Sequence, residues 1–192
     1  MENYFEGKKL ALQEPSFLAY KHLAEKYKVD IQSVEYKDFA FSLDHALQAL
    51  EVADGIALSN PGNPIGIKIE QEDLETVAQA AQKQNKICIF DEAYFEFLEE
   101  SFISKINAFE NVVLLRTFSK AFGLAGLRVG YLIASKEKVA ELQKLQLPCP
   151  ISSFAILAAS TALKSKESFN KTREKVIKNK ILFENFLKEN NF

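Results

Sequence analysis

Ser119, Lys120 and Arg128 stand together in the stretch TFSKAFGLAGLRVGY (117–131), directly after the apolar run NVVLLR. A lysine on a solvated helix needs no such company. Gly123, Gly126, Ala121 and Ala125 keep the backbone around it close and uncrowded. In a confined, partly apolar site beside Arg128, Lys120 should have a depressed pKa, which makes its amine a nucleophile. Ser119 and Arg128 suit a phosphate, one as a hydroxyl donor and the other as a planar guanidinium able to bind in bidentate fashion. Taken alone, the same residues also read as a solvated lysine and a surface arginine.

Two further stretches change that balance. In SNPGNPIG (59–66), Asn60 and Asn63 each precede a proline, which pushes them toward extended geometry within a rigid turn. In IFDEAYFEF (89–97), Asp91 and Glu92 follow an apolar run, so one carboxylate should sit at a buried rim and face a cation. The plainer alternative is that Asp91 caps a helix. A Schiff-base lysine, a phosphate-binding Ser/Arg pair and a carboxylate for a ring nitrogen are the parts that a pyridoxal phosphate site needs. An amide and a phenol can both hydrogen-bond the ring oxygen of that cofactor.

These stretches need elements to hold them. Short apolar runs at 8–13, 31–37, 54–60, 86–91, 111–118 and 128–135 read as strands, several apolar on nearly every residue as if covered on both faces. Between them lie helical patterns. One covers 70–84, with Leu74, Val77, Ala78 and Ala81 as its stripe. Another covers 43–52 behind the N-cap Ser42, with Leu43, Ala46, Leu47 and Leu50 on one face. The alternation predicts an α/β fold, with a mostly parallel mixed sheet and helices on both faces in three layers. From about 136 the chain turns helical. It finishes in a charged helix over 167–190 whose apolar positions are Phe169, Val176, Ile177, Ile181 and Leu187. In parallel sheets, ligands gather at the carboxyl ends of strands, where all three stretches fall.

Bulk properties set the frame. With 192 residues, 47% of them hydrophobic, one globular domain with a sizeable core is expected. A net charge of -2 gives no basic footprint for nucleic acid and no polybasic patch for a membrane. No apolar run approaches the roughly 18 to 20 residues that span a bilayer, and the N-terminus lacks the pattern of a signal peptide. Two histidines leave no zinc-like cluster, so no metal is expected. Cys88 reads as a buried hydrophobe, Cys149 as a packed one, and a reducing cytoplasm is the natural compartment.

The motifs NPGNPIG, DEAYFEF and TFSKAFGLAGLRVGY, in that order and at those separations, resemble the fold-type-I aminotransferases of class I/II. Within them the chain looks most like the histidinol-phosphate aminotransferase branch. The resemblance implies that Lys120 carries pyridoxal 5′-phosphate as a Schiff base and shuttles a proton, and that Asp91 pairs with the pyridinium nitrogen. It implies ring-oxygen contacts from Asn63 and Tyr94, phosphate contacts from Ser119 and Arg128, and stacking by Phe17, whose alternative is a place in the core. Gly62 and Ile65 stand where the family usually shows Asn and Thr, and Cys149 where an aromatic is common.

Members of that family are much longer. The resemblance therefore implies that residues 1–150 are the cofactor-binding large domain and 151–192 a helical segment leading toward a small domain. It also implies that the N-terminal arm, a glycine-containing helix start at the phosphate and the substrate-gripping arginine lie elsewhere. The implied activity is transamination between an amino donor and a 2-oxo acid, in a homodimer. A decarboxylase or lyase of the same fold, like threonine-phosphate decarboxylase, and a truncated chain without turnover are the alternatives. The glycines of GLAGLRVG do not follow a dinucleotide or P-loop spacing.

Overall fold

The computed structural model describes residues 2–98 and 100–191. Met1, Glu99 and Phe192, inside the two ranges expected above, lie outside the described residues. The chain runs α1 (Glu2–Phe5), β1 (Lys9–Glu14), α2 (Leu18–Lys26), β2 (Asp30–Glu35), α3 (Leu43–Val52), β3 (Gly55–Ser59) and α4 (Gln71–Lys83). It continues with β4 (Ile87–Asp91), α5 (Phe95–Leu98), β5 (Val112–Thr117), β6 (Gly130–Ile133), α6 (Lys136–Gln143), α7 (Ser153–Lys164) and α8 (Lys166–Glu189).

Among the described residues the strands form one sheet in the order β2-β1-β3-β4-β5-β6. The first five run parallel and β6 runs antiparallel to β5. The chain leaves β1 for one edge and then crosses back over it to β3. That reversal opens a crevice at the carboxyl ends of β1 and β3, the place where open α/β sheets bind ligands.

Strand alternation feeds a core on each face. Ile56 and Leu58 of β3 join Cys88, Phe90, Val112 and Leu114 under α3 and α4, while Ala57 turns to Leu10, Leu12 and Ala24 under α2. The stripe Leu74, Val77, Ala78 and Ala81 is fully buried, as its spacing predicts. Ser42 caps α3 by accepting the His45 N–H at 3.3 Å. Phe90 and Phe102 meet edge to face with centroids 4.9 Å apart. Burial of each such ring contributes about 1.5–3 kcal/mol.

Two expectations need correction. The last strand covers less than 128–135, because Arg128 sits in the left-handed region (φ 52°, ψ 42°) and cannot continue a strand. It closes one edge of the sheet, where Tyr131 and Leu132 are exposed. Cys149 does not pack: it lies in the loop between α6 and α7 and is exposed. In α8, Phe169 stacks on Phe122 with ring centroids 4.8 Å apart, and Val176 and Ile181 are exposed.

Candidate active site

The neighbouring strands β1, β3, β4 and β5 end at the same edge of the sheet, because they are parallel. Register sets their ends level: Ser59 pairs with Asp91, and Asp91 with Leu115. The loops that follow meet around one cleft of about 310 Å³, within the range of small-molecule sites. Phe17, Asn63, Asp91, Tyr94, Ser119, Lys120 and Arg128 all line it.

Asp91 forms the floor as the last residue of β4. Its Oδ2 accepts the Tyr20 hydroxyl at 2.8 Å and its Oδ1 the Ala93 N–H at 3.0 Å. Burial raises its pKa; the two donors and Lys120 oppose that rise, and Glu92 adds to it. Burial and the nearby Asp91 carboxylate push the Tyr20 phenol well above its ordinary value, so Tyr20 acts as a fixed donor. The sequence offered no signal for Tyr20, which α2 brings across from β1.

The 59–66 turn is held from below. Asn60 is buried; its amide donates to the Ile69 carbonyl at 3.2 Å and its Oδ1 accepts the Ile69 N–H at 2.9 Å. Asn60 is therefore structural, and Asn63 is the asparagine that faces the cleft, donating to the Tyr94 hydroxyl at 3.2 Å. Gly62 has no room for a side chain, since a Cβ there would lie 2.6 Å from the Tyr36 hydroxyl. That phenol accepts a hydrogen bond from Gln13, whose Oε1 takes the Ser59 N–H at 2.7 Å. The absence of the family's asparagine at Gly62 is thus matched by Tyr36.

Lys120 stands between two aromatic rings, its Nζ 5.1 Å from the Tyr94 centroid and 5.9 Å from that of Phe17. Its side chain is exposed, so the confinement expected of it is not supplied by the described residues. Phe17 is 48% exposed at the head of α2, which places it in the cleft wall and outside the core. Ser119 donates its N–H to Thr117 Oγ1 at 3.0 Å, and Arg128 donates to the Ala125 carbonyl at 3.2 Å. A left-handed arginine costs about 1–2 kcal/mol.

The cation expected at the buried rim belongs to Glu92. Arg116 on β5 donates to Glu92 Oε2 through Nε at 2.9 Å and Nη2 at 2.8 Å, both side chains almost wholly buried. Ser101 and the Phe102 N–H complete the carboxylate's shell, and the guanidinium stacks on Phe95 at 3.6 Å. Sequence reading missed Arg116; a charged residue ending an apolar strand is the signal that marks it.

The cleft is lined by a carboxylate, a primary amine beside two aromatic rings, and a hydroxyl with a guanidinium. In an α/β sheet, such a cleft offers groups that suit an anionic, aromatic ligand. The chain belongs to the aminotransferase class I and II family, whose model matches residues 3–192. A histidinol-phosphate aminotransferase of Thermoanaerobacter pseudethanolicus is 37% identical over 184 residues, covering 90% of this chain and 51% of that protein. The crystal structure of the histidinol-phosphate aminotransferase from Clostridium acetobutylicum superposes with a TM-score of 0.89 at 27% identity, covering 95% of this chain and 56% of that one. That from Sinorhizobium meliloti, in complex with pyridoxal-5′-phosphate, does so with a TM-score of 0.82 at 26% identity over 90% and 48% of the two chains. The chain spans about half the length of the curated relatives it matches.

Proposed function

We propose that the cleft binds pyridoxal 5′-phosphate and serves a transaminase of the histidinol-phosphate type. The observation that carries the reading is the convergence of Lys120, Asp91 and the Ser119/Arg128 pair on one cleft in a class I and II aminotransferase chain. The donor set fits the cofactor: a carboxylate suits a protonated ring nitrogen, and a hydroxyl with a guanidinium suits a phosphate.

Bound there, the cofactor supplies an electron sink for negative charge developing at the substrate Cα. The chain's residues do the rest. Lys120 would hold the cofactor through its amine and would serve as the group that moves the proton at the substrate Cα. Asp91, with Tyr20 and the Ala93 N–H as donors, holds a negative charge for the ring nitrogen. Asn63 and Tyr94 donate to the ring oxygen, and Phe17 covers a ring face. Ser119 and Arg128 hold the phosphate. Residues 1–150 form the cofactor-binding large domain, and the helices of 151–192 lead toward a small domain. The substrates are an amino donor, either an amino acid or an amino-phosphate compound, and a 2-oxo acid. The working form is a cytoplasmic homodimer. Among the described residues no helix is long and apolar enough to cross a membrane.

Titration of the chain with pyridoxal phosphate, followed by borohydride reduction and peptide mapping, tests the reading. A single label on Lys120, absent from Lys120→Ala, is expected. Label scattered over surface lysines would sink it.

A further inference from the structure

Glu96 has no part in the cleft, yet it is 7% exposed, and among the described residues neither of its carboxylate oxygens meets a hydrogen-bond partner. It belongs to α5, the short helix that directly follows Tyr94. The Phe95 N–H donates to the Glu92 carbonyl at 3.1 Å and the Phe97 N–H to the Tyr94 carbonyl at 3.0 Å. Glu92, Tyr94 and α5 are thereby one mechanical piece, clamped by Arg116 against Phe95.

The charged groups acting on Glu96 come from the elements around it. Arg116 of β5 favours its ionised form, and Glu92 at the end of β4 opposes it. Its own N–H lies near enough to favour charge but lacks the geometry of a hydrogen bond. α8 packs on α5 and brings Lys180 into the groove lined by Phe97 and Leu98. Burial outweighs these attractions and pushes the carboxyl up to about 7.

We propose that Glu96 is a positioning residue that makes the Tyr94–Asn63 contact depend on its protonation. Neutral, it leaves α5 seated with its carboxyl buried and unpartnered. Ionised, it competes with Glu92 for the Arg116 guanidinium and draws α5, with Tyr94, out of register with Asn63. Its consequence for catalysis rests on the reading of the cleft as a pyridoxal phosphate site; the movement of Tyr94 does not.

The test uses the whole chain with ¹³C-labelled glutamate and tyrosine, titrated without cofactor from about pH 5 to 9, a range that brackets a raised carboxyl. Tyr94→Phe and Glu96→Gln assign the signals. The Glu96 carboxyl signal is expected to titrate with a midpoint of about 7, and the Tyr94 ring signal to move with the same midpoint. In Glu96→Gln the Tyr94 signal should stay at its low-pH position throughout. A Tyr94 signal that is flat in the wild type, or that moves equally in Glu96→Gln, overturns the proposal. Should Glu96→Gln fail to fold, the wild type decides: coincident midpoints uphold the coupling and separate ones refute it.

Pyridoxal phosphate affinity is then measured across the same range. The wild type should lose affinity several-fold as the pH rises, and Glu96→Gln should not. Movement of Tyr94 without any cofactor binding would overturn the proposed function and leave the positioning role standing. Binding without movement of Tyr94 would do the reverse.

Discussion

The Tyr20 hydroxyl donates to Asp91 Oδ2 at 2.8 Å and so ties helix α2 to the carboxyl end of β4. Phenylalanine at this position keeps the ring and removes the donor. Hydrogen bonds to charged groups contribute about 1.5–3 kcal/mol. Tyr20→Phe should therefore weaken pyridoxal phosphate binding by about tenfold, since roughly 1.4 kcal/mol corresponds to a factor of ten. An absorbance titration of the two proteins would read the difference; unchanged affinity would remove Tyr20 from the site.

The Glu92–Arg116 pair is a structural clamp behind the cleft. Removing one partner leaves the other charge buried, at a cost of about 3–5 kcal/mol. Glu92→Ala should lower the urea midpoint accordingly, and Glu92→Gln, which keeps an acceptor for Phe102, should lower it less. Equal midpoints for wild type and Glu92→Ala would show that the pair is not buried in solution.

Stability should also carry the mark of Glu96. Its folded-state pKa is raised to about 7 from 4.5, so its favourable contribution is complete below the unfolded value. That contribution fades as the pH rises toward 7, because the unfolded chain has already lost the proton. The loss amounts to roughly 3 kcal/mol at neutral pH and above. Glu96→Gln should match the wild type in acid and exceed it in urea stability above neutrality. A constant difference across pH would refute the shift.

At Gly62, a Cβ would lie 2.6 Å from the Tyr36 hydroxyl. Gly62→Ala should cost about 1–3 kcal/mol, as overpacking of a filled interior does. Combining it with Tyr36→Phe, which frees that space, should recover part of the loss. Thermal melts of the three proteins would show whether the two sites interact.

Much of the fold was legible because its cues are local. Each of the six apolar runs holds a strand, and the stripe of α4 and the Ser42 cap of α3 stand where their spacing places them. α2 was missed: Tyr20, Leu23, Ala24 and Tyr27 recur at helical spacing, but only Ala24 is buried, so its apolar face is faint. Cys149 failed differently. An apolar residue in sequence says nothing of whether another element arrives to cover it.

The sequence by itself determined where the six strands fall along the chain, the three chemistry-bearing stretches and the family, since all three depend on residue type and short-range spacing. Which asparagine faces the cleft, which carboxylate takes Arg116 and which takes Tyr20 were decided only by the tertiary structure. Those pairings depend on the strand order β1-β3-β4-β5 and on the register that sets Ser59, Asp91 and Leu115 level. Strand order and register emerge when distant segments bury apolar surface together, and no local pattern encodes them.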